Sequence, residues 1–285
     1  MQSFQDIEIR LLFESDIPAA MKLKEAAGWN QTEDDWRRLL RLEPAGCFAA
    51  IKDGELVGTT TTTTYNDDLA WVGMVLVDPQ RRRQGIATKL METALDYLKG
   101  RVATVKLDAT PQGKLVYEKF GFQVESMVER WSGKIESRSI DRSGEMLSLE
   151  LRRELLALDE RAFDADRSTL VDSLIDDSLV PPVLKRSGDG KLSGYGLARR
   201  GTKANYIGPV VTTQSNQAEG LLEQMLGQLS AGRVYIDFNI ECGVNAKMLA
   251  DRRFVKQRDL IRMTAGKRIR KTSSLIVAIA GPEIG

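Results

Sequence analysis

The residues that could do chemistry gather on one turn. Val75-Leu76-Val77 closes an apolar run, Asp78-Pro79 ends it, and Gln80-Arg81-Arg82-Arg83-Gln84-Gly85-Ile86-Ala87-Thr88 comes next. Beyond the glycine, Ile86, Leu90, Met91, Ala94, Leu95 and Leu98 fall on one side of a 3.6-residue period, and Gly100 is placed to stop that helix. The first amides of a helix lack internal acceptors and carry partial positive charge, so they bind anions. Glycine lets an anion approach the backbone, and arginines add forked donors. The turn therefore suits a phosphate-bearing ligand. A P-loop would need Gly-Lys-Ser/Thr after a glycine and four residues, and a dinucleotide fingerprint would need three glycines; only Gly85 is present.

Behind a strand ending in Val-x-Pro, the spacing Arg82-x-x-Gly85-x-Ala87 resembles the pyrophosphate motif of the GNAT acyltransferase superfamily, whose members bind acetyl-CoA. A second motif stands at the family's separation. After Ala103–Asp108, a strand by its pattern, come Thr110, a short helix over Lys114 to Lys119, and Phe120-Gly121-Phe122, with Gly121 placed to cap the helix. Tyr117 stands where the family carries a phenol, and Thr110 where many members have asparagine. The stretch Ala27 to Phe122 is also similar to one subfamily of two-domain bacterial GNAT proteins.

The resemblance implies an acetyl-CoA-dependent N-acetyltransferase with no metal, in which a primary amine of a small molecule or peptide attacks the thioester directly in a ternary complex. Val75, Leu76 and Val77 would run along the pantetheine arm. Arg82, Arg83, Gln84, Gly85, Ile86, Ala87 and Thr88 would hold the pyrophosphate, with Thr110 nearby. Amides around Met74 and Val75 would polarise the acyl carbonyl. Tyr117 would protonate the departing thiolate. No base stands out, since the strand position where some relatives carry a glutamate is Trp71; Asp35, Asp67, Asp68, Glu125 or a water chain remain. The missing base leaves a second class open, an acyl-CoA sensor or interaction module.

Gly28-Trp29-Asn30-Gln31-Thr32-Glu33-Asp34-Asp35-Trp36 holds two of the four tryptophans, and Thr32 with Asp35 reads as a capping box for a helix through Leu42. Either this loop packs as core, or Trp29, Asn30 and Asp35, together with Trp71, line an amine-binding cleft, since ring faces and carboxylates both favour a cation.

The elements that must position these residues can be read in order. Ile7–Leu12 alternates as a strand, and Ser15-Asp16-Ile17-Pro18 opens a helix that ends near Gly28. Phe48–Ile51, a turn over Lys52–Glu55, and Leu56–Gly58 form a hairpin whose second strand continues through six threonines, Thr59 to Thr64, as a two-faced strand. Leu69–Val77 leads into the basic turn. The pattern then repeats. Gly54-Glu55-Leu56-Val57-Gly58 recurs as Gly190-Lys191-Leu192-Ser193-Gly194, Trp71-Val72-Gly73 as Tyr206-Ile207-Gly208, and Phe122 and Arg130 as Phe254 and Arg262. The second copy has Thr212-Thr213-Gln214-Ser215-Asn216-Gln217 in place of the basic turn and Leu249 in place of Tyr117.

The expected fold is α/β (α+β): tandem GNAT folds, each a mixed, splayed central sheet flanked by helices. Residues 1–145 would be the catalytic domain and 146–285 a degenerate GNAT-like domain. In the second copy, Asp166-Arg167 could reach the cleft but reads better as structure. Ser274 to Ala280 reads as a closing apolar strand, and Lys267-Arg268-Ile269-Arg270-Lys271 as a solvated loop. Composition fits a soluble protein: 285 residues, 42% apolar, 28% charged and a net charge of +1, which gives no case for nucleic acid or an anionic membrane. The absence of histidine excludes His-based triads and His metal sites, and two distant cysteines, Cys47 and Cys242, exclude a disulfide framework. A cytoplasmic monomer or homodimer is the expectation.

Overall fold

The computed structural model describes residues 7–136, 147–266 and 273–285. The first half runs β1 (Glu8–Leu11), α1 (Ile17–Ala26), α2 (Glu33–Leu42), β2 (Cys47–Lys52), β3 (Glu55–Tyr65), β4 (Leu69–Val77), α3 (Ile86–Leu98), β5 (Thr104–Ala109), α4 (Pro111–Tyr117) and β6 (Gln123–Ile135). The second runs α5 (Leu149–Phe163), α6 (Ser168–Asp176), β7 (Val183–Arg186), β8 (Leu192–Arg199), β9 (Asn205–Thr212), α7 (Ala218–Gln228), β10 (Gly232–Asn239), α8 (Lys247–Asp251), β11 (Val255–Gly266) and β12 (Ile276–Ala278). The domain boundary expected at 145/146 and the basic run 267–271 lie outside the described residues.

Local chemistry explains the starts of the helices. Thr32 and Asp35 close the capping box of α2: Asp35 Oδ2 accepts from the Thr32 amide at 2.8 Å, and Thr32 Oγ1 accepts from the Asp35 amide at 3.3 Å. Thr110 caps α4 by accepting from the Gly113 amide at 3.1 Å. Along α3, Ile86, Leu90, Met91, Ala94 and Leu98 are buried against the sheet, as the period requires. α6 starts without a side-chain cap. Ser168 does not cap it; its amide donates to Asp166 Oδ1 at 2.8 Å.

The two expected sheets are one sheet, in the order β1-β2-β3-β4-β5-β11-β6-β10-β12-β9-β8-β7. The halves exchange their long strands. β11 of the second half lies between β5 and β6 of the first, while β6 lies between β11 and β10. Two reciprocal ion pairs lock the exchange. Arg262 on β11 grips Asp108 on β5 with two bonds of 2.8 Å, its guanidinium 4.6 Å from the Trp71 ring. Arg130 on β6 grips Asp237 on β10 in the same way, with Nε at 2.6 Å. These are the paired arginines of the sequence repeat. Their carboxylates are fully buried, so losing one partner would leave a buried charge uncompensated.

Candidate active site

The site begins where two parallel strands part. β4 and β5 pair only at Leu69–Thr104, Ala70–Val105 and Trp71–Lys106, although both strands continue. From Val72 onward the β5-facing edge of β4 has no partner strand among the described residues. The register of β4 against β3 shifts between Thr59 and Thr61, and Met74 there takes a left-handed φ of +49°. Such a bulge re-aims the amides beside it. The threonine run holds it in place: Thr59 Oγ1 donates to the Met74 carbonyl at 2.8 Å, and Thr59 through Thr63 are buried. Thr60 and Thr62 likewise donate to backbone carbonyls, of Gly73 at 3.5 Å and Gly46 at 2.9 Å.

The parted strands open a cleft. Val72 to Val75, Leu107, Thr110 and Tyr117 form one wall. Tyr117 lies half-buried at the end of α4, its ring edge-on to Phe122 with centroids 6.2 Å apart. Burial raises its pKa, so the phenol stays protonated through the neutral range. β4 then leads from the cleft into the basic turn. Pro79–Arg81 make one 3-10 turn, Arg83 has φ +62°, and Gly85 at φ +79° directly precedes α3. Arg82, Arg83 and Thr88 are exposed; Gln84 accepts from Lys52 at 2.9 Å; Leu76 and Ile86 point into the core.

The opposite wall comes from Trp29, Gln31, Arg258, Leu260, Pro282 and Glu283, so the second half completes the cleft. The segment after β12 is tied in by the Trp71 indole N–H donating to the Pro282 carbonyl at 2.9 Å and the Tyr65 hydroxyl donating to the Ile284 carbonyl at 2.7 Å. Gly73 permits this approach, because a Cβ there would stand 2.5 Å from the Glu283 carbonyl oxygen. Glu283 is buried, accepting from Gln31 Nε2 at 2.7 Å and from Arg199 at 3.1 Å. Burial moves its carboxyl pKa upward against the pull of Arg199. Burial, together with the facing Arg130, brings the guanidinium of Arg258 down to about 10.

Of the four candidate substrate residues, Trp29 reaches the cleft and three are held elsewhere. Asn30 clamps the loop beyond β8, accepting from the Lys203 and Ala204 amides at 2.9 and 3.0 Å and donating to the Ala204 carbonyl at 2.9 Å. Asp35 is shared by Arg38 at 2.7 Å and Arg199 at 3.3 Å; burial alone would raise its pKa, but the two guanidiniums outweigh burial and lower it. Trp71 is buried beneath Pro282 and Arg262. The other acids considered as bases lie apart from the cleft. Asp67 is exposed in the β3–β4 turn, Asp68 accepts the Thr104 amide there through its carbonyl, and Glu125 pairs with Lys106 at 2.9 Å. Arg167 is structural, bonded twice to Asp159 at 2.8 and 2.9 Å. Glu283 and Arg258 escaped the sequence reading. Neither stands in a motif of the sequence: Glu283 follows Pro282 beyond the closing apolar strand, and Arg258 lies in a strand of mixed pattern.

Residues 10–122 match the acetyltransferase (GNAT) family, and residues 155–278 match a GNAT acetyltransferase domain. Together with the parted strands and the left-handed turn before α3, these matches make the chain a two-domain member of the GNAT acetyltransferases. It is 28% identical over 236 residues to YitH, an uncharacterized N-acetyltransferase of Bacillus subtilis, covering 79% of each chain. It is 25% identical over 265 residues to a holothin acyltransferase of Pseudoalteromonas, covering 91% of this chain and 88% of the relative. A crystal structure of a candidate acetyltransferase from Pyrococcus horikoshii superposes with a TM-score of 0.79 at 25% identity, over 100% of this chain and 98% of that one. Acyl transfer is the chemistry common to these relatives. No helix among the described residues is long and apolar enough to cross a membrane.

Proposed function

We propose that the protein is an acetyl-CoA-dependent N-acetyltransferase acting on a primary amine, with its single active cleft in residues 1–145 and one wall supplied by residues 146–285. The observation that carries this is the unpaired edge of β4 from Val72 to Val75, which faces Tyr117 in one cleft and leads directly to the left-handed turn before α3. Acetyl-CoA fits this frame because an extended pantetheine arm can use strand-edge amides, and a pyrophosphate can use the first amides of a helix.

Bound acetyl-CoA supplies a thioester carbon open to attack. Amides of Val75 and Val77 hold the arm, and those from Arg83 to Thr88 hold the pyrophosphate. The bulge at Met74 and Val75 directs backbone N–H groups at the acyl oxygen, where negative charge grows. The amine nitrogen bonds to the acyl carbon, the carbon–sulfur bond breaks, and Tyr117 gives its proton to the sulfur and recovers one from solvent. The proton lost by the amine passes to water or to Glu283, the carboxylate of this cleft that is not gripped by two arginine bonds. Calorimetry with acetyl-CoA, combined with free-thiol release across a panel of amines, tests the proposal. Binding without thiol release from any amine would make the protein an acyl-CoA sensor; absence of binding would end both readings.

A further inference from the structure

The acceptor wall of the cleft carries two buried polar atoms without partners, and they are of opposite kind. Gln31 is 6% exposed. Its Nε2 donates to Glu283, which fixes the orientation of the amide and leaves Oε1 as an acceptor with no hydrogen bond among the described residues. Arg258 lies half-buried on β11, and its Nε is buried without an acceptor. Its side chain has no ion pair or hydrogen bond among the described residues, whereas Arg38, Arg130, Arg167, Arg199 and Arg262 each hold a carboxylate. Its cross-strand neighbour is Arg130, which is committed to Asp237 and can only repel it. The register of β11 slips immediately before it, between Lys256 and Arg258. A buried donor or acceptor left unmade costs about 1–3 kcal/mol, more for a charged group, so packing gives no reason to keep either atom. A ligand does.

We propose that the acyl acceptor is an amine that also bears a carboxylate, an amino acid or a close analogue, with its carboxylate on Arg258 and its amine on Gln31 Oε1 and Glu283. This rests on the acyl-transfer reading of the same cleft. The charges support it. The two carboxylates that line the cleft, Asp108 and Glu283, are bonded to Arg262 and Arg199, which leaves Arg258 as the cation lining the cleft that a ligand carboxylate would complement. A guanidinium fork takes a carboxylate through two parallel bonds. A CoA phosphate is the other anion at hand. The helix start that suits phosphate is at Gly85, beyond the end of β4, whereas Arg258 lies on β11, on the far side of β5.

The test uses the full chain, acetyl-CoA and thiol release, with matched acceptors: alanine against ethylamine, phenylalanine against phenethylamine, and 4-aminobutyrate against butylamine to scan the charge separation. The expected result is a kcat/KM about tenfold or more higher for at least one carboxylated partner. Arg258→Gln should remove that preference mainly through KM, Arg258→Lys should restore part of it, and calorimetric affinity for acetyl-CoA should be unchanged in both. Equal use of both members of every pair overturns the carboxylate assignment and leaves acyl transfer intact. Weakened acetyl-CoA binding in Arg258→Gln overturns it in favour of a phosphate seat. Thiol release from no amine at all overturns the acyl-transfer reading and this inference with it.

Discussion

Each half of the molecule contains a pair of parallel strands that touch for three residues and then part. In the first half these are β4 and β5, paired from Leu69–Thr104 to Trp71–Lys106. In the second they are β9 and β10, paired from Asn205–Val234 to Ile207–Ile236. Beyond the point of parting the two halves differ. In the second half β12 enters between the strands, antiparallel to both: Ile276 faces Val211, and Ala278 faces Val210 and Phe238. The turn after β9 also closes on itself. Thr212 Oγ1 donates to the Gln214 carbonyl at 3.0 Å and accepts the Gln214 amide at 3.1 Å, while Gln217 accepts from Ser193 at 2.8 Å. Leu249, fully buried, takes the place of Tyr117. Parted strands expose edge amides that need partners. One half meets that need with its own chain. The other keeps the edge, the left-handed glycine and the phenol.

Stoichiometry breaks or upholds this comparison most directly. Calorimetry should give one acetyl-CoA per chain, and Gly85→Glu should abolish that binding. The substitution puts a carboxylate at an anion-binding helix start and a side chain at φ +79°. Two sites per chain, or wild-type affinity in the variant, would end the distinction between the halves.

The exchanged strands give the next largest effect. Arg262→Gln and Arg130→Gln each leave a buried aspartate unpaired, and each should lower unfolding free energy by about 3–5 kcal/mol in denaturant titrations. The comparison sharpens in the active cleft. Only Arg262→Gln frees Asp108, which lines it, so only that variant should also weaken acetyl-CoA binding. Equal weakening by both would make the exchange a matter of stability alone. Tyr117→Phe comes third, lowering kcat by about tenfold or more with acetyl-CoA affinity kept, because in the proposed mechanism the phenol acts on the departing sulfur and not on the bound ground state. Unchanged turnover would remove Tyr117 as the acid.

These variants also mark how far the sequence could be read. Periodicity placed α3 and β4 almost to the residue, because an amphipathic helix and an apolar strand carry their burial in their own pattern. The repeat exposed the duplicated fold through Arg130 and Arg262 before either had a visible partner. It could not carry the pairing between distant strands. β6 and β11 are mixed in pattern because each is sandwiched between two strands of the opposite half, and their burial depends on neighbours more than a hundred positions away, as the pairing of Lys256 with Trp131 shows. Ser274–Ala280 read as a closing strand, yet nothing local says that it plugs the second pair of parted strands or that Glu283 then comes to rest against Gly73. The candidate site was legible where a motif is contiguous, at Arg82–Thr88 and Tyr117, and illegible where the chain returns to it.

The smallest effect is the most local. Thr59 donates to the carbonyl of Met74, the residue whose left-handed φ marks the bulge beside the amides proposed to face the acyl group. Thr59→Val keeps the shape and removes the donor, so a buried carbonyl loses one partner at about 1 kcal/mol, read as a small drop in melting temperature. If the bulge only relieves strand curvature, turnover should stay at the wild-type level. If it aims the amides of Met74 and Val75 at the acyl oxygen, as proposed, kcat should fall severalfold while acetyl-CoA affinity holds, since those donors matter most when charge has developed on the oxygen. A control in the second half, Thr212→Val, removes hydroxyl contacts to the turn after β9 and to the Ser193 carbonyl, all remote from the cleft. It should therefore lower stability by a similar amount and leave kcat untouched. A loss of kcat in Thr212→Val equal to that in Thr59→Val would mean that both effects travel through global stability, and the bulge would lose its assigned role.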